Sequence, residues 1–577
     1  MIPFLYFRVI DQKTTGENNM KKNFAVFTRT PNKYYDKSLA NSIHFAYLDD
    51  NDMFEPLNQN YGILFAEATI NENNTIAPKS IKNPVILKMD DQKYTIIATR
   101  ISDSGEEDSP GFVLMWTTSD FKEFENMGLI PLQDELLSVL EETKKDTFKL
   151  NFSNEEVKVG NAIELEENTL NEVINYWTPI HHVETNVDEN VTVSSKTELE
   201  NLKAIAMYSD GSIARKQVDW DLDAIDFATP GTYQVKGKAK TLKFQFPLAR
   251  GYADPVILPW EGKYYFIATN DNVNDIGLFV RESDTIEGLF APGYVEVLIL
   301  DVDEEKDFIQ TFWAPEFHVI GEELYILFAV GGKQWAPQCH SMKLKKGGKI
   351  DNPDDWETPI RFKKKDGSFL TTDGISLDMT YFKAKEKSYM VWSYRFNIGT
   401  PNDSGSMIYI GEIDEKDPTI LISDPVLLTR PLFGWENLRG TINNEGPYPI
   451  ITEDTIYIVY AAADARGYLY SLGTLSIPID GDCLDSTQWK KSPTPLLHFQ
   501  SFENYYGAGH NSFFTDYEGN VWIMYHAVEG LDERIACSAM NRVHFRANRT
   551  PVFNMSAERD LNPQLANVMT TVTITGN

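Results

Sequence analysis

Apolar and polar positions in this chain alternate in short runs bounded by turn-forming residues. Ser42-Ile43-His44-Phe45-Ala46-Tyr47-Leu48 and Tyr94-Thr95-Ile96-Ile97-Ala98-Thr99 have the length and the β-branched and aromatic content of strands, and Asp, Asn and Gly clusters lie between such runs. From residue 246 to 577, short aromatic strands follow one another and no helical apolar pattern of useful length appears. A short helix is predicted only over residues 169–177. The pattern predicts an all-β protein, and strand after turn after strand over this length favours a propeller or a large sandwich over an α/β fold.

One pattern occurs twice. Asp254-Pro255-Val256-Ile257-Leu258 is followed, after a Glu261-Gly262 turn, by Lys263-Tyr264-Tyr265-Phe266-Ile267-Ala268-Thr269. Asn83-Pro84-Val85-Ile86-Leu87 is followed by Lys93-Tyr94-Thr95-Ile96-Ile97-Ala98-Thr99, with one residue of slippage in the turn. Recurring small sheets of this kind suggest propeller blades. Asp254 stands at the mouth of a rigid β element beside Pro255, a good place for a general base, although Asp-Pro pairs also cap turns. Asn83 carries an amide, which cannot act as a base, so the first copy is expected to be structural or ligand-holding.

The chain divides into three regions by pattern. Residues 1–150 form an N-terminal β-rich, propeller-like region, and residues 246–577 hold the long series of strands. Residues 151–245 change character. There, Ala204-Ile205-Ala206-Met207-Tyr208, the Asp210-Gly211 turn, Val218-Asp219-Trp220 and Pro230-Gly231-Thr232-Tyr233 resemble a bacterial immunoglobulin-like module over roughly fifty residues. Such modules are spacers, and no chemistry is assigned to it.

Composition narrows the function. With 577 residues, 42% hydrophobic and 12% aromatic, the chain can build a sizeable core in two to four domains. Fifty-three basic against 85 acidic residues give a net charge of −32, which argues against nucleic acid or an anionic membrane surface as partner. Cys339, Cys483 and Cys537 are far apart and lack metal-ligand spacing, as expected in a reducing compartment. Met1-Ile2-Pro3-Phe4-Leu5-Tyr6-Phe7-Arg8 lacks a basic leader region and no run reaches membrane-spanning length, so a cytoplasmic protein is expected.

Three acidic positions share a setting beside a strand. They are Asp254, Asp378 in Ile375-Ser376-Leu377-Asp378-Met379-Thr380-Tyr381, and Glu445 in Asn443-Asn444-Glu445-Gly446-Pro447. Glycoside hydrolysis needs a proton donor to the leaving oxygen and a base or nucleophile, and a third carboxylate raises the acid's pKa. Among 85 acidic residues, most belong to a solvated surface, and spacing alone does not single out this trio.

Ala253-Asp254-Pro255, Trp313-Ala314-Pro315-Glu316, Leu377-Asp378, Asn444-Glu445-Gly446-Pro447 and Gly507-Ala508-Gly509-His510-Asn511-Ser512 occur in an order that resembles family 43 glycoside hydrolases, over residues 246–577. The resemblance implies a five-bladed β-propeller and an inverting, single-displacement mechanism. It implies Asp254 as general base, Asp378 as pKa modulator and Glu445 as general acid. His510 is similar to a histidine that in many relatives lies near a calcium or other ion, often through water. The competing reading is a satisfied core histidine, and no cofactor is required. Trp313, Glu316, Trp392, Arg395 and Trp435, with Tyr394, are candidates for the pocket wall, and ordinary packing within a sheet competes for each.

The stretches around Glu445 and His510 look closest to family members that act as α-L-arabinofuranosidases. The expected activity is exo-acting removal of L-arabinofuranose from arabinan or arabinoxylan oligosaccharides of plant cell walls, with the N-terminal half closing one end of the pocket. The alternatives are a β-xylosidase of the same family, a non-catalytic carbohydrate-binding propeller, and a structural or adhesion protein.

Overall fold

The computed structural model describes residues 21–89, 93–143, 148–149, 156–157, 160–223, 225–333 and 335–575. The stretch 1–8 lies outside them. The described chain is mainly antiparallel strand, and residues 169–177 lie within the helix Glu167–Trp177. It falls into two compact units.

The first unit holds residues 1–178, 246–514 and 524–539. Its larger part is five antiparallel sheets laid down in chain order. Sheet I runs Tyr252–Trp260, Lys263–Asn270, Leu278–Ser283, Glu296–Leu300. Sheet II runs Gln310–Ile320, Glu323–Gly331, Gln338–Lys343, Ile360–Arg361. Sheet III begins with Gly374–Ala384, Lys387–Phe396 and Met407–Asp414. Sheet IV runs Asn444–Ile451, Thr455–Ala462, Ser471–Pro478, Lys490–Lys491. Sheet V takes Tyr506–Thr515, Val521–Val528 and Cys537–Arg542, of which this unit holds residues 506–514, 524–528 and 537–539, and its fourth strand is Ala249–Arg250, from just before sheet I. The start of this region thus joins its end, which removes a free edge.

A device recurs in the first strand of these sheets. Register slips between Ala253 and Val256, Trp313 and Glu316, Leu377 and Thr380, and Glu445 and Tyr448. At each slip one residue is left-handed: Asp254 (φ 53°), Ala314 (47°), Asp378 (55°) and Gly446 (55°). His510, in the first strand of sheet V, has φ 50°. Bulges of this kind re-aim side chains, and such residues cost strain unless the surroundings fix them.

The N-terminal part of this unit contributes two more sheets. One has the order Gly160–Glu166, Lys21–Phe27, His44–Leu48, Phe54–Pro56. The other runs Lys79–Lys88, Tyr94–Ser102, Phe112–Thr118, Glu125–Pro131. Phe24, Phe45, Ile81, Ile96, Trp116 and Leu170 share one core across both sheets and the helix. The part expected to end at residue 150 therefore extends through this helix, because its apolar face is buried there. A second core joins Tyr35, Leu39, Tyr61 and Phe65 to Phe433, Trp435, Tyr468 and Phe499, so the N-terminal part packs directly on the region of five sheets.

The second unit holds residues 179–245, 515–523 and 540–577. Its strand order is His182–Asn186, Ala204–Tyr208, Ile213–Trp220, Gly231–Lys240, Asn567–Ile574, Asn190–Val193. The C-terminal strand thus inserts between two strands more than 300 residues upstream. A buried charge cluster fastens this segment. Asp560 accepts from Lys216 (2.6 Å), from Arg542 Nε (2.6 Å) and from the Thr241 hydroxyl (2.7 Å). Buried charges are tolerated when paired this fully. All three cysteines are free and buried. Among the described residues, no helix is long and apolar enough to cross a membrane.

Candidate active site

Asp254 is the first carboxylate of the site. Its left-handed backbone follows the register slip, and its Oδ2 accepts from the Thr269 hydroxyl of the next strand (2.6 Å). The Thr269 oxygen also accepts the Ala314 N–H of sheet II (2.8 Å), tying the two sheets at this point. Oδ1 faces Nδ1 of His510 (3.0 Å) and Nδ1 of His526 (3.3 Å). Burial alone would raise this carboxyl, but the two imidazoles and the Thr269 hydroxyl outweigh it and hold Asp254 well below the usual range. Asp254 is therefore held in its carboxylate form.

Asp378 is 3% exposed. Its Oδ2 accepts from Ser393 (2.9 Å) and from the N–H of Gly446 (3.0 Å). Burial and the negative charge of Asp254 push it up to about 7, against those two donors. Glu445 lies one residue before that Gly446 N–H, and its Oε1 accepts from the hydroxyl of Tyr470 (2.8 Å). Burial, then Asp378, push Glu445 up to about 7, opposed by His510, Asn443 and Tyr470. One carboxyl is thus held ionised while another is kept protonated near neutrality, the separation that acid–base catalysis requires.

Glycine is required at two places. A Cβ at Gly446 would stand 2.9 Å from the ring of His510, and its φ of +55° disfavours any side chain. A Cβ at Gly509 would fall 2.1 Å from the ring of Tyr470. These absences of side chain let sheets IV and V close around Glu445.

Glu316 is 3% exposed and bonds to Nε2 of His318 at 2.6 Å. Burial raises the carboxyl well above its ordinary range and lowers His318 to about 3. The pair is neutral, with the carboxyl donating to the imidazole, and is not an ion pair. Glu316 feels the charges of Asp254 and His510, so it lies beside the same centre, one carboxylate or histidine coming from each of the five sheets.

The wall candidates separate. Trp313 is half-buried and its indole N–H donates to Asp275 (2.9 Å). Arg395 makes a two-bonded ion pair with Asp403 (2.8 and 2.7 Å), and the Tyr394 hydroxyl donates to Asp373 (3.1 Å). Trp392 and Trp435 are corrected. Trp392 is 3% exposed, stacks on Tyr409 and belongs to a core with Leu327 and Met390. Trp435 is 0% exposed, stacks on Tyr460 and donates to the Pro493 carbonyl (3.0 Å). Buried on all sides, they hold the sheets together and offer no face to a sugar.

The Nδ1 of His510 faces Asp254, and among the described residues no three His, Cys, Asp or Glu side chains form a group that could hold a metal ion. Sequence reasoning missed His526, Tyr470 and Thr269. His510 and His526 each lie eight residues from Glu518 in the turn of one hairpin, a symmetry that would have brought His526 to notice. His526 Nε2 donates to the Ala465 carbonyl (2.8 Å), and its Nδ1 lies beside both the backbone nitrogen (3.2 Å) and Oδ1 (3.3 Å) of Asp254.

Residues 245–551 match the model of glycosyl hydrolases family 43, and residues 185–242 match that of bacterial Ig-like domain (group 4). The chain is 27% identical over 334 residues to alpha-L-arabinofuranosidase B of Pyricularia oryzae, covering 55% of this chain and 64% of that one. It is 29% identical over 287 residues to the extracellular exo-alpha-(1->5)-L-arabinofuranosidase of Streptomyces chartreusis, covering 49% of this chain and 82% of the other. The crystal structure of alpha-L-arabinofuranosidase from Lactobacillus brevis aligns over 53% of this chain and 95% of its own, with TM-score 0.46 and 26% identity.

Proposed function

Because the chain belongs to glycosyl hydrolases family 43, with residues 245–551 as its matched part, we propose that it is an inverting, exo-acting α-L-arabinofuranosidase. The five sheets are, on this proposal, the blades of a five-bladed β-propeller. The observation that carries the mechanism is the split between Asp254, held ionised, and Glu445, held protonated to about 7. Water attacks the anomeric carbon as Asp254 takes its proton. The carbon–oxygen bond to the leaving sugar breaks as Glu445 gives its proton to that oxygen. Asp378 raises the acid by its charge and holds the Gly446 N–H beside it.

The sugar rests on the arabinofuranosidases to which half of the chain is similar. Exo action is supported by the N-terminal part, which packs on the region of five sheets through the Tyr35, Tyr468 and Phe499 core. A neutral plant cell-wall oligosaccharide suits a protein of net charge −32.

Proton NMR of early turnover on mixed arabino- and xylo-oligosaccharides tests this. Arabinose released first as the β anomer from α-linked substrate is expected. Release of the α anomer first overturns inversion, and release of xylose alone moves the specificity to a β-xylosidase. The pH profile is expected to fall as pH rises through about 7, where Glu445 loses the proton it must donate. The acid limb is expected below the ordinary carboxylate range, where Asp254 finally protonates.

A further inference from the structure

Residues 32–36 belong to the N-terminal part, yet Lys33, Tyr34 and Asp36 are bound to three loops of the five-sheet region. The segment is preorganised: the side chain of Asn32 accepts the N–H groups of Tyr34 and Tyr35 (both 2.9 Å), and Tyr35 is buried in the shared core. Three loops of the five-sheet region then converge on it. Arg439 donates to the Lys33 carbonyl (2.7 Å) and to Asp36 (3.4 Å). The Tyr468 hydroxyl donates to the Tyr34 carbonyl (2.9 Å), and the two rings meet edge to face at 5.9 Å. Asp532 accepts from the Tyr34 hydroxyl (2.9 Å) and from Lys33 (3.1 Å).

Each loop leads into the acid's surroundings within a few residues. Arg439 lies six residues before Glu445. Tyr468 lies two residues before Tyr470, whose hydroxyl is bound to Glu445. Asp532 lies six residues after His526, whose ring stacks on Tyr470 at 5.3 Å. Arg439 is 44% exposed, so its two bonds into the segment fix a side chain that would otherwise be mobile.

We propose that residues 32–36 are a positioning clamp for the general acid, holding the Arg439 and Tyr468 loops so that Tyr470 keeps Glu445 aimed at the leaving oxygen. This rests on the proposed glycosidase function. The clamp acts through Tyr470 and touches neither the sugar nor the reacting atoms. Its contribution is therefore confined to the step that protonates the leaving group. A substrate that departs as a stabilised phenolate needs little of that proton, whereas a sugar alcohol needs all of it.

The test compares R439A and Y468F in the full chain on α-1,5-arabinotriose and on 4-nitrophenyl α-L-arabinofuranoside. For the triose, kcat is expected to fall about tenfold or more with KM within about twofold, the scale of remote misplacement. For the aryl glycoside, kcat is expected to change less than about twofold. K490A, which breaks the Lys490–Glu123 contact elsewhere between the same two parts, is expected to leave both substrates unchanged. Y468F keeps the buried ring and removes only the hydroxyl, so it decides the matter if R439A does not fold, as judged by near-UV circular dichroism. Equal losses on both substrates, or a raised KM for the triose at unchanged kcat, overturn the clamp. A wild-type protein inactive on both overturns the functional proposal itself.

Discussion

Two hairpins in this molecule are near copies, and only one belongs to a candidate active site. Lys79–Lys88 with Tyr94–Ser102 and Tyr252–Trp260 with Lys263–Asn270 each open a four-stranded sheet. Register slips at the same place in both, between Lys82 and Val85 and between Ala253 and Val256. The left-handed residue is Asn83 (φ 54°) in one and Asp254 (φ 53°) in the other. Even the partner threonines correspond, with Lys82 opposite Thr99 and Ala253 opposite Thr269. Asn83 is exposed, whereas Asp254 meets two histidines and lies near Asp378. The backbone that presents the Asp254 carboxylate is thus a general property of this hairpin. The chemistry comes from what the neighbouring sheets place against it.

The largest effect is expected where the active copy is turned into its counterpart. Asp254→Asn keeps shape and backbone but removes the base, and kcat should fall by about 10²–10⁴-fold, read as initial rates of arabinose release. Retained activity would mean that Asp254 is only a turn residue, as Asn83 is. A smaller effect is expected at Asp378, whose charge helps keep Glu445 protonated. In Asp378→Asn the acid loses that support, its pKa drops, and the basic limb of the pH profile should move below pH 7. An unmoved limb would show that burial alone tunes Glu445. The smallest effects concern the silent copy. Asn83→Val places a β-branched residue in a left-handed backbone and should cost about 1–3 kcal/mol in denaturant unfolding, with kcat unchanged. Asn83→Asp should leave both stability and activity unchanged, because the side chain at this position is exposed to water. Any gain of turnover there would erase the contrast.

Much of this was legible in the chain. The repeat of Asn83-Pro84 and Asp254-Pro255 announced two equivalent hairpins, and both are present with the same bulge. Asp254, Asp378 and Glu445 shared a setting beside a strand and were singled out by the resemblance to family 43, and the structure brings them to one centre. Aromatic residues were the weak point. Trp392 and Trp435 sit in strands or loops beside candidate residues, and large aromatics suit both sugar faces and sheet interiors. Sequence does not say which side of a strand faces which neighbour, so their burial against Tyr409 and Tyr460 was hidden. The same blindness hid Tyr470, Thr269 and His526, polar residues of common type placed at the site by contacts that only the folded chain makes.

Local sequence decided the elements: short apolar runs make the strands, turn residues separate them, and small or polar residues occupy the left-handed bulges. These choices depend on neighbours within a few positions, so a linear text carries them. Tertiary structure decided the protonation states. The pKa of Glu445 depends on burial and on Asp378, 67 residues away in the chain, and that of Asp254 on His510, 256 residues away. Charge interaction falls with distance in space and rises as water is excluded, and neither quantity is written in the order of the residues. The insertion of Asn567–Ile574 beside Gly231–Lys240 has the same origin, since a strand pairs with whichever exposed edge folding brings to it.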